Sequence, residues 1–117
     1  MGAQEHGYVY FLDAPEVNRI KIGTGVAPED RLQAVRLMCP VPTALMGLIV
    51  GGRRREAELH EKYKHLRRHG EWFEGTAEFR IEIQVLCLTD AWEHAGPEAR
   101  RRFREIINEP IMDQRYA

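Results

Sequence analysis

The sequence predicts an α/β domain of the α+β kind: a small three-stranded antiparallel sheet flanked by helices, with two extra helices at the C-terminus. Three observations predict it. Two short segments rich in aromatic and β-branched residues flank a breaker near the N-terminus. Apolar residues then recur at helical spacing in four later segments. Glycine and proline punctuate the chain between these segments.

Taken in order, Tyr8-Val9-Tyr10-Phe11-Leu12 reads as the first strand, and Asp13-Ala14-Pro15 breaks it. Arg19-Ile20-Lys21-Ile22-Gly23 alternates strictly and reads as its hairpin partner. Ile20 and Ile22 then share one face and Lys21 takes the other. If Val9 and Phe11 pack with the isoleucines, Tyr10 shares the face of Lys21. Pro28, Glu29 and Asp30 suit the first turn of a helix, where a missing N–H costs nothing and acids favour the dipole. That helix should run to about Met38 and stop at Pro40 and Pro42. Thr43 to Val50 is a short apolar run ended by Gly51-Gly52, and reads as a third, largely buried strand. A second helix is expected from Arg53 to His69, stopped by Gly70, with Glu71-Trp72-Phe73 as a link. Thr76 should cap a third helix whose stripe is Ile81, Val85, Leu88 and Trp92. A fourth, about Pro97 to Asn108, carries Phe103, Ile106 and Ile107 opposite an arginine run.

At 117 residues the chain is the size of one domain. We divide it into a core, 1–75, and a helical extension, 76–117, packed on the same domain. Hydrophobic residues make up 44% and charged residues 30%, an ordinary globular composition. No apolar run reaches the roughly 18 residues of a membrane span, and Met1 to Gly7 lacks the pattern of a signal peptide. A cytoplasmic protein without membrane association is expected. Cys39 and Cys87 lack metal-ligand spacing and read as reduced core thiols. The net charge of −1 does not advertise nucleic-acid binding, but from Arg53 to His69 seven basic residues face three acidic ones. This stripe, with Arg53, Arg54, Lys62 and Arg67, is either a solvated helix face or a phosphate-binding one.

The second helix holds the most informative anomaly. Glu56, Leu59, His60 and Tyr63 fall at i, i+3, i+4 and i+7 and share one face. A carboxylate there costs several kcal/mol unless it is paired or holds a metal. Glu56 therefore either sits at the rim beside an arginine or is a ligand. In the first helix, Arg31 shares a stripe with Ala34, Val35 and Met38, as a snorkelling stem or as a site cation. A tyrosine, a lysine, an arginine and a carboxylate converging on one patch would suit metal-assisted phosphodiester hydrolysis.

Four motifs in order carry a family resemblance. Tyr8-Val9-Tyr10 followed by Lys21-Ile22-Gly23 resembles the paired strand motifs of GIY-YIG nucleases, closest to the meiotically up-regulated gene 113-like branch of phages and bacteria. Pro28-Glu29-Asp30-Arg31-Leu32, Glu56-Ala57-Glu58-Leu59-His60 and Gly70-Glu71-Trp72-Phe73 resemble the family's later motifs. The likeness covers about residues 7 to 75. Tyr8 stands where the name-giving glycine would be, and Lys21 replaces the second tyrosine. The resemblance implies a DNA endonuclease in which Glu56 holds one Mg²⁺ or Mn²⁺. It implies that Tyr10 orients or deprotonates the attacking water, that Lys21 favours its phenolate, and that Arg31 stabilises charge on phosphorus. His60 would contact phosphate or move a proton, or else sit satisfied in the core. The alternatives are an inactive DNA-binding or regulatory module on the same scaffold, and a protein-interaction domain. Phe103, Ile106 and Ile107 would allow a homodimer through the C-terminal helices.

Overall fold

A computed structural model describes residues 7–25, 33–35 and 37–108. Its centre is β1 (Tyr8–Ala14) paired antiparallel with β2 (Arg19–Gly25), Tyr10 opposite Gly23 and Leu12 opposite Lys21. A 3-10 turn, Pro15–Val17, joins them, and Asn18 closes it in the left-handed region at φ 55°, which asparagine tolerates better than most residues. β3 (Ala44–Val50) pairs with the other edge of β1, with a bulge between Phe11 and Leu12.

The expected sheet of three strands has five. Gly70, at φ 55°, turns Arg67–His69 (β4) back onto Trp72–Glu74 (β5), and β5 extends the sheet beside β2. The order is β3-β1-β2-β5-β4, antiparallel throughout. The same turn corrects the second helix. It does not reach His69: α1 spans Arg53–Lys62, a 3-10 turn covers Lys64–Leu66, and Arg67 is extended. The stretch from Arg67 supplies backbone partners to β5 instead of another helical turn. Residues 33–35, 37 and 38 are helical, as expected, while the start of that first helix, including Pro28 and Arg31, lies outside the described residues.

Both expected C-terminal helices form, α2 over Ala77–His94 and α3 over Pro97–Ile107. Thr76 caps α2, its Oγ1 accepting from the Phe79 N–H at 3.1 Å. The face of α2 that enters the core is not the expected one. Phe79 and Ile83 are buried, whereas Ile81, Val85 and Leu88 are 59%, 56% and 66% exposed. The core gathers Val9 and Phe11 of β1, Ile20 and Ile22 of β2, Ile49, Phe73, Leu59, Tyr63, Phe79 and Ile83. Gly47 lets α2 close on β3, since a Cβ there would lie 2.6 Å from Cys87 Sγ. Cys39 and Cys87 are both free thiols. No helix of the described residues is long and apolar enough to cross a membrane.

Candidate active site

Two ties hold α1, and with it Glu56, against the sheet. At its first turn, Arg55 donates to Asp90 Oδ1 at 2.7 Å, and the Val50 N–H donates to Asp90 Oδ2 at 2.8 Å. Asp90 is 5% exposed, so a buried carboxylate of α2 joins the end of β3 to the start of α1. At the last turn, His60 Nε2 lies 3.0 Å from the Ile22 carbonyl oxygen. A carbonyl can only accept, so Nε2 carries the proton there. The His60 ring meets Phe73 edge-on, with centroids 4.9 Å apart.

Between these ties Glu56 is drawn in on the sheet side, its side chain 16% exposed. Among the described residues no nitrogen or hydroxyl donates to its buried Oε2; His60 Nε2, at 3.9 Å, is too far to do so. Burial, and then the neighbouring Glu71 carboxylate, push the Glu56 carboxyl up to about 7, against the opposing charges of Lys21 and Arg53. Glu71 goes the other way. Its burial disfavours the charge, but the hydrogen bond and charge of Lys21 outweigh that and hold its carboxyl below the usual range. Lys21 Nζ donates to Glu71 Oε1 at 2.7 Å and lies 5.7 Å from the Trp72 ring centre. Two carboxylates and one lysine thus share a half-buried patch, with an imidazole beside it. Charge balance favours one of the carboxylates taking a proton or a cation.

Tyr10 occupies the face of the sheet that the alternation assigned it, with Lys21 as its diagonal cross-strand neighbour. It is fully buried, and its hydroxyl has no hydrogen-bond partner among the described residues. The ring lies over Gly23, where a Cβ would sit 2.5 Å from Tyr10 Cζ and from its hydroxyl oxygen. The glycine of the second strand motif is therefore a space requirement set by the tyrosine of the first.

The structure brings Glu56, His60 and Lys21 together, and it sets Tyr10 on the face of Lys21. Arg31 falls outside the described residues. Arg53, Arg54 and Lys62 are exposed on α1, but Arg67 lies on the edge strand β4, its Nε donating to the Gly70 carbonyl at 2.8 Å. The four cations therefore do not form one helical stripe. Two further residues emerge. Glu71 lies inside the Gly70-Glu71-Trp72-Phe73 motif, where the flanking strands are too short to show a periodicity and the sequence reads as a link. Asp90 carried one local sign, a charged residue on the helix face opposite Ile81 and Leu88. Among the described residues, no three His, Cys, Asp or Glu side chains gather as a metal-ligand set. A cation here would take one or two carboxylates and fill its shell from water and substrate, the mode that Mg²⁺ favours.

The family model of the T5orf172 domain matches residues 7–89. That region takes in all five strands, α1 and most of α2. No curated protein and no solved structure matches the chain.

Proposed function

The chain belongs to the T5orf172 domain family, which is associated with nuclease-type domains, and we propose that it is a metal-dependent endonuclease of the GIY-YIG type acting on DNA. One observation carries the reading: among the described residues no nitrogen or hydroxyl donates to the buried Oε2 of Glu56, and its carboxyl is held against that of Glu71. A proton shared between the two carboxyls or a hard divalent cation relieves that arrangement, and the cation is the form that serves phosphodiester chemistry. Glu56 would hold the ion, with Glu71 close enough to add charge. A bound Mg²⁺ or Mn²⁺ supplies Lewis acidity toward a phosphodiester oxygen.

The remaining chemistry falls to this chain's own side chains. Tyr10 brings a hydroxyl with no partner among the described residues, which would orient a water or take its proton. Lys21 is a cation on the same face, although its hydrogen bond to Glu71 shares its charge. Its effect is therefore to keep Glu71 ionised. His60 donates Nε2–H to the Ile22 carbonyl, which ties α1 to β2 and leaves Nδ1 as the ring atom that could take a proton. Arg31, by its place in the motif, is the cation for charge developing on phosphorus. Arg53, Arg54, Lys62 and Arg67 offer exposed cations for the DNA backbone.

The test is cleavage of plasmid and branched DNA with Mg²⁺ or Mn²⁺, wild type against Glu56→Gln. The variant should lose cleavage yet bind DNA as well or better, because the charge that repels phosphate is gone. Cleavage at the wild-type rate would remove Glu56 from the reaction.

A further inference from the structure

The exposed stripe of α2 is anomalous for a monomer. Ile81, Val85 and Leu88 are each more than half exposed on the side opposite Phe79 and Ile83. Trp92 continues the stripe at helical spacing, and Phe103 of α3 packs on Trp92 with centroids 5.5 Å apart. Phe103 and Ile106 are themselves 47% and 57% exposed. This makes one apolar band along two helices, and bands of this kind mark interfaces.

The charges at its ends are opposite. Glu78 and Glu82 are exposed at the N-terminal end of α2. At the C-terminal end, Arg100 and Arg104 each stand 5.3 Å from the Trp92 ring centre. Arg100 is anchored to the Trp92 and Glu93 carbonyls, and among the described residues Arg104 forms no salt bridge.

We propose that this band is a homodimer interface in which α2 packs antiparallel against α2 of a second copy, centred on Val85. A two-fold axis at Val85 sets position 78 of one copy level with position 92 of the other. Ile81 then meets Leu88 of the second copy. The Arg100–Arg104 end of each copy lies over the Glu78–Glu82 end of its mate, so both ends of an isologous contact are matched at once. A parallel pairing would set acid on acid and arginine on arginine, and is disfavoured by that repulsion. The proposal does not depend on catalysis, since the patch around Glu56 is built on the sheet side of α1.

Sedimentation velocity over a concentration series tests it. The wild type should pass from monomer to dimer as concentration rises. Val85→Glu, at an exposed position that folding does not need buried, should stay monomeric while keeping its circular dichroism and the melting temperature that wild type shows at concentrations where it is monomeric. Glu78→Arg and Arg104→Glu should each weaken dimerisation, by about three- to tenfold, and the double variant should restore it. Three results would each overturn the proposal: a wild type that stays monomeric throughout, which would leave the band to a different protein; a Val85→Glu protein that still dimerises; or a double variant weaker than both singles.

Discussion

Replacing Glu56 with glutamine should stabilise the metal-free protein at neutral and alkaline pH. The carboxyl is raised from 4.5 to about 7 in the folded chain, first by burial and then by Glu71. A raised carboxyl means that the protonated form is favoured by folding. Its contribution is complete below pH 4.5, shrinks as pH rises, and is gone above about 7, where the folded chain carries an ionised, desolvated group. At about 1.4 kcal/mol per pH unit, the interval corresponds to an upper bound of roughly 3 kcal/mol. The side chain keeps some solvent and faces Lys21, so screening reduces this to about 1–2 kcal/mol. Glutamine preserves the shape and is neutral at every pH. In chemical denaturation at pH 8 the variant should therefore exceed wild type by about 1–2 kcal/mol, and at pH 4 the two should coincide. Millimolar Mn²⁺ should narrow the pH 8 gap by stabilising only the wild type. A variant equal to or weaker than wild type at pH 8 would refute the reasoning, because Glu56 would then be a paired carboxylate and not a strained one.

Two more outcomes follow from the same patch. Lys21→Met removes the cation that lowers both carboxyls, so Glu56 should titrate higher, and calorimetric Mn²⁺ binding should weaken at pH 7 and recover at higher pH; an unchanged pH midpoint would separate Lys21 from the carboxylates. Gly23→Ala forces a Cβ to 2.5 Å from Tyr10 Cζ, so it should cost about 1–3 kcal/mol in denaturation and reduce cleavage more than stability alone explains; wild-type stability would mean that the Tyr10 ring moves freely.

The sequence made the centre of the fold legible because that part obeys local rules. Alternation in β2 put Lys21 opposite Ile20 and Ile22, and the register with β1 put Tyr10 on the same face. Thr76 announced its helix by a cap that the structure contains. Glu56 was conspicuous because helical spacing set a charge among apolar residues. What escaped was decided by contacts far apart in sequence. β4 and β5 are three residues each, too short for any periodicity, and Arg67-Arg68-His69 lacks the composition of a strand. β5 pairs along the open edge of β2, and Arg67–His69 then pairs along β5. In α2, periodicity showed the stripe Ile81, Val85, Leu88 but could not say which way it faces. The helix carries a second apolar set, Phe79 and Ile83, on the other side. Asp90 lies on that second side and is tied to Val50 and Arg55, which turns Phe79 and Ile83 inward.

The two ties on α1 explain why Glu56 stays in an unfavourable place. A helix carrying a desolvated carboxylate next to another would ordinarily rotate by part of a turn and present the charge to water, gaining the hydration it had lost. Here rotation would break the Arg55–Asp90 pair at one end and the His60 contact with the Ile22 carbonyl at the other. Arg55 is partly exposed, but leaving the Asp90 carboxylate buried without it costs on the order of 3 kcal/mol, more than the roughly 1–2 kcal/mol that exposing Glu56 would recover. The strain is therefore held by packing outside the site, in a residue of α2 and in the backbone of β2. A site built this way is relieved by a proton at low pH and by a divalent cation at high pH. Cation binding should for that reason release a proton near neutrality and be nearly proton-neutral well above it. Isothermal calorimetry of Mn²⁺ binding in buffers of different ionisation enthalpy measures this directly: equal apparent enthalpies in all buffers at pH 6.5 would mean that the cation does not displace a proton from Glu56.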